Sequence, residues 1–205
     1  MRIHQVEQKT QEWQELRRGK ITGTGLKRIV GSKTLRDNYL SEILAERLSV
    51  DDGVDESALD RGERLESTAI EAFESKTGKI VERIGFIDRD DNKFMALSPD
   101  GLIQSKGKYT EAVEIKCLSS ANHIQAWLEN VVPKDYYPQA IQYFIVNDDL
   151  ETLYFVLYDP RVAVMPMCII ILNRSEIEDV IEDYKKKELD FISEVESKLE
   201  QIIKF

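Results

Sequence analysis

Two short stretches most constrain what this chain can fold into: S-P-D-G at positions 98–101 and E-I-K at positions 114–116. The second stretch lies in segment 110–117, where small or charged side chains alternate with apolar ones, and this period of two predicts a β-strand. Glu114 and Lys116 therefore share one face of the strand, while Val113 and Ile115 point into the core.

A hairpin is predicted around this strand. Segment 94–98 reads as the preceding strand, and the Lys-Gly-Lys sequence at 106–108 reads as the turn between the two. Such a hairpin brings Asp100 close to Glu114. Two carboxylates beside the ammonium of Lys116 can hold Mg²⁺ and a water poised to attack a phosphodiester. In a simpler interpretation, Asp100 belongs only to a turn, and Glu114 and Lys116 only to a solvated strand face.

Length and composition predict a single domain over residues 1–205, because a chain with 42% hydrophobic residues can bury a sizeable core. Within it we expect N-terminal helices at about 10–50 and a C-terminal helix at about 175–204. Cys117 and Cys168 lack metal-ligand or disulfide spacing, so buried thiols in a reducing compartment are expected. No apolar signal-peptide core and no run of transmembrane length is present, which predicts a cytoplasmic protein without membrane contact.

The charge of the chain is unevenly distributed. A net charge of −10 argues weakly against nucleic-acid binding. Residues 1–36, however, hold nine Lys and Arg against three acids, a net of +6, whereas residues 175–205 hold ten acids against five Lys, a net of −5. The N-terminal segment can therefore present a phosphate-binding face, although an ordinary solvated helix surface explains the same charges.

The N-terminal segment is predicted to contain short helices. Thr10 can cap a helix that runs through Arg17 and ends at Gly19. Residues 21–25, I-T-G-T-G, read as a hinge of small residues before a short helix at 26–30. Small residues let a phosphate approach the backbone, and Thr24 offers a hydroxyl at a helix start. An ordinary connector between helices is the alternative.

A long helix is predicted at 58–76, after an acidic loop at 51–56. Glu66 adjoins the apolar stripe of this helix, so it can point toward the sheet as a third carboxylate or remain an exposed helix residue. Beyond Gly78 the pattern changes to strands, with one predicted at 80–88 and a turn at 90–92.

Further helices and strands follow the hairpin. Ser119 or Ser120 is predicted to cap a helix through position 127. A second helix opens near Tyr136, with a proline tolerated in its first turn, and places Tyr136, Gln139 and Tyr143 on one face. Strands are predicted at 153–157 and 167–172, and the second, an uninterrupted apolar run, is expected to be buried on both faces. The final amphipathic helix is predicted to be capped at position 175.

Together these residues resemble a known family, the phage-type exonucleases related to lambda exonuclease, also called YqaJ-like viral recombinases. The resemblance runs from about position 13 to position 161 and rests on ordered blocks. These are W-Q-E-L-R-R-G-K-I-T-G-T (13–24), R-G-E-R-L-E (61–66), S-P-D-G with E-I-K-C (98–117) and Y-Y-P-Q-A-I-Q-Y (136–143), with Y-D-P-R (158–161) as a further reminiscent block.

The resemblance implies an α/β (α+β) fold with a restriction-endonuclease-like core, in which helices flank a central mixed β-sheet. It implies Mg²⁺-dependent, exonucleolytic hydrolysis of linear double-stranded DNA from 5′ ends during phage recombination. Two Mg²⁺ ions are expected, and Mn²⁺ is expected to substitute. The implied partners are duplex ends, further copies of the chain in a trimeric ring, and a phage single-strand annealing protein. The implied location is the cytoplasm of a bacterial host.

The resemblance also implies roles for particular residues. Asp100, Glu114 and Glu66 look like metal ligands together with the carbonyl of Ile115, and Lys116 would orient or activate the attacking water. A second set is implied to contact DNA: Arg17, Thr24 and Ser98 match positions that grip a phosphate near the cut, and Tyr136 and Gln139 match helix residues that line the site. Thr24 stands where a relative has serine, so the hydroxyl survives.

Two alternative functions stay open at this point. One is a sequence-specific endonuclease of the same fold, and the other is a non-catalytic DNA-binding module. A nuclease with an iron–sulfur cluster is excluded, because such a cluster needs four cysteine ligands and the chain has two cysteines.

Overall fold

The computed structural model describes residues 1–48, 60–118 and 120–204. The predicted acidic loop at 51–56, the first residues of the helix predicted from 58 and the Ser119 cap lie outside this part of the chain.

The described residues form seven helices and seven strands. In chain order they are β1 (Arg2–His4), α1 (Gln11–Arg17), α2 (Gly23–Ile29), α3 (Lys33–Leu48), α4 (Asp60–Thr77), β2 (Phe86–Asp88), β3 (Ala96–Leu97), β4 (Gly101–Ser105), β5 (Lys108–Lys116), α5 (Ser120–Glu129), α6 (Tyr137–Val146), β6 (Thr152–Tyr158), β7 (Met167–Asn173) and α7 (Arg174–Ile203).

The strands form two sheets. A small antiparallel sheet has the order β1-β2-β3, and a four-stranded sheet has the order β4-β5-β6-β7. Within the larger sheet only β5 and β6 are parallel, and α5 and α6 form the crossover between them. The predicted fold class, a mixed sheet flanked by helices, is confirmed. The single domain over 1–205 stays a prediction.

Two layers of helix cover the larger sheet. On one face, α4 packs on β5 and β6, and its Ala69, Ile70 and Phe73 join Val113 and Ile115 in one apolar cluster. On the other face α6 is the central helix, in contact with α2, α7, β3 and β6. Both faces of β5 are therefore buried over residues 112–115, and Glu114 lies within the molecule rather than on its surface.

The hairpin prediction was right about the turn and wrong about the first strand. Lys106 and Gly107 have φ angles of +50° and +81°, the left-handed pair of a type I′ turn. The strand before this turn, however, is β4, whereas segment 94–98 contributes β3 to the small sheet. Pro99 separates the two strands, because proline lacks the N–H that a continuous ladder requires.

Several predicted boundaries also need correction. The strand predicted at 80–88 is regular only over β2, and Glu82 forms an isolated bridge with Leu102. The hinge at 21–25 is instead the first turn of α2 from Gly23 onward. Strand β7 is an edge strand, so Ile171 is 51% exposed rather than buried.

The predicted helix caps have mixed outcomes. Thr10 caps α1 as predicted, since its side chain accepts the N–H of Trp13. Ser120 instead donates its hydroxyl to Asp159. Helix α7 begins one residue before the predicted cap, and the side chain of Asn173, which precedes it, makes no capping hydrogen bond.

Both cysteines are free thiols, with Cys168 buried and Cys117 half-buried. No helix among the described residues is long and apolar enough to cross a membrane.

Candidate active site

Asp100 lies at the corner between β3 and β4. Its carboxylate Oδ2 accepts the backbone N–H of Ile115 at 2.7 Å, and its own N–H donates to the hydroxyl of Tyr143 at 3.1 Å. The N–H and carbonyl of one strand residue point to the same side of the strand. The carbonyl of Ile115 therefore also faces Asp100, where the resemblance requires it as a ligand.

Glu114 is fully buried, at 0% exposure, beneath α6. One carboxylate oxygen accepts a hydrogen bond from the ammonium of Lys116, and the other accepts one from the hydroxyl of Tyr143. The interpretation of Glu114 as part of a solvated strand face is therefore wrong. A buried carboxylate needs hydrogen-bonding partners of this kind, because its desolvation otherwise costs several kcal/mol.

Lys116 is the positive charge of the cluster. Its ammonium pairs with Glu114 and lies 5.4 Å from the ring centre of Tyr136. Burial opposes the charged form, but the carboxylates of Glu114 and Asp100 outweigh it and raise the pKa of Lys116. The side chain is therefore a stable cation that can orient a water or stabilise negative charge.

Glu66 lies near the same carboxylates. Burial raises its pKa; the charges of Lys9 and Arg83 act against that rise, and Glu114 adds to it. Burial likewise raises the pKa of Asp100 well above its usual range, and Glu114 and Glu66 raise it further, against the opposing effect of Lys116. The three carboxyl groups thus interact electrostatically with one another and with Lys116, and burial and mutual repulsion disfavour the charged forms of Asp100 and Glu66.

The donor set of this cluster fits a hard divalent cation. Carboxylate and carbonyl oxygens are the ligands that Mg²⁺ prefers, and a cation would relieve the repulsion among the three acids. Within residues 1–48, 60–118 and 120–204, no three His, Cys, Asp or Glu side chains already stand in a metal-binding arrangement. An ion would therefore have to draw the carboxylates together.

A second cluster lies beside the first, around Arg17. Its guanidinium donates to the hydroxyl of Ser98 at 2.6 Å and to that of Thr22 at 3.2 Å, and it stacks on Trp13 with 4.4 Å to the ring centre. Burial lowers the pKa of Arg17. A partly buried cation whose hydrogen bonds go to hydroxyls rather than to a carboxylate is suited to receive a phosphate.

The structure brings Arg17 and Ser98 together, whereas Thr24 makes no described hydrogen bond to either of them. Thr24 is exposed on the first turn of α2, and the hydroxyl that meets Arg17 belongs to Thr22. Gln139 on α6 packs against that turn, and a side chain at Gly23 would come within 2.9 Å of its Cγ. Thr24 and Gln139 therefore flank the start of α2, whereas Tyr136 lies at Lys116.

A comparison with protein-family models matches residues 12–149 to the YqaJ-like viral recombinase domain. The chain belongs to this family. The matched segment contains both clusters, from Trp13 to Tyr143.

Solved structures agree with the family assignment. The alkaline exonuclease LHK-Exo of Laribacter hongkongensis is 26% identical over 95% of this chain and 97% of its own, with a TM-score of 0.85. The structure of LHK-Exo in complex with dAMP is 27% identical over 94% of this chain and 96% of its own, with a TM-score of 0.84. A phage-related exonuclease of Haemophilus somnus 129PT shares the fold at 16% identity, over 88% of this chain and 96% of its own, with a TM-score of 0.56. No curated protein sequence matched. By domain and by structure the chain thus belongs to the family of phage-type alkaline exonucleases.

Sequence reasoning did not assign Tyr143, Trp13 or Thr22 to the site of this YqaJ-family chain. The sequence did contain evidence for Tyr143, because it shares a helix face with Tyr136. A polar face on an apolar helix indicates that its side chains have buried hydrogen-bonding partners. Trp13 could have been found because it lies four residues before Arg17 on the same helix. For Thr22 there was no such evidence, since the local sequence does not show which of two threonines turns toward an arginine.

Proposed function

We propose that this chain is a Mg²⁺-dependent deoxyribonuclease that digests linear double-stranded DNA from 5′ ends, in phage recombination. The observation that carries the proposal is the group of Asp100, Glu66 and Lys116 around the fully buried Glu114, beside the Arg17 cluster. Carboxylates that hold a cation, together with a neighbouring phosphate-binding arginine, suit phosphodiester hydrolysis.

The metal site is proposed from these residues. Asp100, Glu114, Glu66 and the Ile115 carbonyl would hold Mg²⁺, with two ions expected and Mn²⁺ as a substitute. When bound, the metal supplies an activated water and stabilises charge on the leaving oxygen.

The side chains of this protein do the remaining work. Arg17 and Ser98 would hold a phosphate next to the scissile one and so fix the strand, which lowers the entropic cost of reaction. Lys116 keeps its proton on Nζ, where it can hold the attacking water or stabilise the charged transition state. Tyr143 orients Glu114 through the hydrogen bond that its hydroxyl donates to the carboxylate.

Exonucleolytic release is supported by similarity. LHK-Exo was solved with dAMP, a deoxynucleoside monophosphate, which is the kind of product that stepwise digestion of DNA releases. By the same resemblance we propose a trimeric ring, a phage single-strand annealing protein as partner and action in the bacterial cytoplasm.

The test is digestion of a linear duplex labelled at the 5′ end of each strand in turn, beside a covalently closed circle. We expect early release of label from both strands, an intact circle, activity with Mg²⁺ or Mn²⁺, and none in EDTA. Asp100→Asn should be inactive, while Asp149→Asn, on an exposed residue paired with Lys108, should match the parent. Cutting of the circle would favour the endonuclease alternative. No digestion of either substrate would favour the non-catalytic module.

A further inference from the structure

One face of the small sheet carries a group of basic side chains. Arg2 lies directly across from Asp88 in the register, and His4 lies across from Phe86. Directly opposed residues on neighbouring strands point to the same face. These four side chains therefore share one face, and the opposite face carries Ile87, which is fully buried in the core.

Three nitrogen atoms converge on the carboxylate of Asp88, which is 3% exposed. Arg2 Nε lies at 2.8 Å, His4 Nε2 at 3.3 Å and Lys20 Nζ at 3.4 Å. Two permanent positive charges thus face one negative charge, and His4 adds a third when protonated. Asp88 holds the basic side chains in place without neutralising them.

The excess positive charge affects the pKa of Lys20. Burial lowers the pKa of Lys20; Asp88 acts against this, and the positive charges of Arg2 and Lys93 lower the pKa further. Repulsion between neighbouring cations of this kind is relieved by a bound anion.

Nearby acids are engaged by other cations. The N-terminal amine pairs with Asp90, and Arg89 binds both Asp91 and Asp148. Glu196 lies in the same cavity as Arg2 and Lys93, so the surplus positive charge is concentrated at His4 and Lys20 on the other side of Asp88.

The basic face continues to the Arg17 cluster. Ala96 on β3 lies opposite Asp88, so Ser98, two residues further along, projects from the same face beside Phe86. The hydroxyl of Ser98 accepts a hydrogen bond from the Arg17 guanidinium. The backbone N–H of Lys20 donates to the Arg17 carbonyl at 3.0 Å. From β3 to β1 the sheet spans two strand spacings, roughly 10 Å. A phosphate close to the one in the Arg17–Ser98 pocket can therefore reach this face.

We propose that Arg2, His4 and Lys20 form a second phosphate-binding surface, the N-terminal basic patch, which holds the DNA backbone at a phosphate neighbouring the one in the Arg17–Ser98 pocket. The inference rests on the proposed DNA nuclease function. The patch positions the strand and takes no part in the bond cleavage.

Salt dependence of binding tests the patch. Arg2→Gln and Lys20→Gln are compared with Lys108→Gln and Lys187→Gln, which remove the same charge from lysines paired with Asp149 and Asp183 away from the small sheet. Binding to a short duplex is measured in EDTA at several salt concentrations. The slope of log Kobs against log salt is negative, and each lost phosphate contact decreases its magnitude by about 0.9.

We expect that decrease for both patch variants and no decrease for the two controls. Equal slopes for the parent and all four variants would overturn the patch and leave an ion-pair cluster only. If Lys20→Gln fails to fold, Arg2→Gln, on a half-exposed terminal side chain, decides alone. A parent that digests duplex while all slopes are equal overturns only this inference, whereas a parent that neither binds nor digests duplex overturns the proposed function as well.

Discussion

Removal of one oxygen atom from Tyr143 tests whether α6 organises the candidate active site. The hydroxyl donates to Glu114 and accepts the backbone N–H of Asp100. Tyr143→Phe keeps the ring, which is fully buried in the core, and deletes only the hydroxyl, which makes this bridge and a longer hydrogen bond to the Val113 carbonyl at 3.4 Å. The substitution therefore separates the hydrogen bonds from the packing.

The expected magnitude follows from the groups left behind. Two buried polar groups lose a partner, at about 1–3 kcal/mol each. Glu114 retains the ammonium of Lys116 on its other oxygen, so we expect a total loss of roughly 2–4 kcal/mol of unfolding free energy. Loss of a residue that orients a metal ligand typically costs about 10–100-fold in metal affinity or activity. We expect that loss in digestion rate at limiting Mg²⁺, with partial recovery at high Mg²⁺.

The assay combines urea unfolding with single-turnover digestion of a linear duplex over a range of Mg²⁺ concentrations. Tyr158→Phe is the matched control, because Tyr158 is buried on β6 and its hydroxyl bonds to no described residue. It should change neither quantity by much. If Tyr143→Phe loses stability but keeps the parent's rate at every Mg²⁺ concentration, Tyr143 is a structural residue and the reasoning is refuted.

Three further variants test individual side chains. Lys116→Ala should lose at least about a hundredfold in single-turnover rate with DNA affinity little changed; a near-normal rate would show that Lys116 is only a strand cation. Arg17→Lys should be clearly impaired in initial digestion rate, because an ammonium cannot reproduce the two-pronged guanidinium contact; a rate equal to that of the parent would exclude the phosphate clamp. Glu188 is fully buried on α7, and burial raises its pKa to about 8. The folded state keeps this proton while the unfolded state loses it from about pH 4.5, so stability falls as pH rises through that window. Glu188→Gln should therefore exceed the parent's urea midpoint at pH 8 by much more than at pH 5, and an equal difference at both would contradict the pKa.

The sequence correctly predicted features that depend on contacts within a few residues, namely a helix cap and a hairpin turn. Thr10 caps α1, and the Lys106–Gly107 turn forms a hairpin, because a capping hydroxyl and a pair of left-handed residues act over three or four residues. The closeness of Asp100 to the Glu114 strand followed from that hairpin, although the strand before the turn was misplaced.

Non-local packing decided the features that sequence reasoning missed. The alternation in 110–117 gave the two faces of β5 correctly, but it could not show that α6 covers the face with Glu114. The apolar run in β7 suggested burial on both faces, whereas the order of strands placed β7 at an edge. Which strands become edges depends on pairing across the whole chain, and that information is absent from any single segment.

The burial of Glu114 argues that this site was selected for its chemistry rather than for stability. A fully buried carboxylate costs several kcal/mol of desolvation, and even well-paired buried ions are often no better for folding than apolar residues of similar size. The two donors on Glu114, from Lys116 and Tyr143, offset this cost without making the arrangement favourable for folding. Asp100 adds a second acid whose pKa burial and the nearby carboxylates raise. A cation would stabilise all of these carboxylates together, so the same repulsion that costs folding free energy favours binding of the proposed metal.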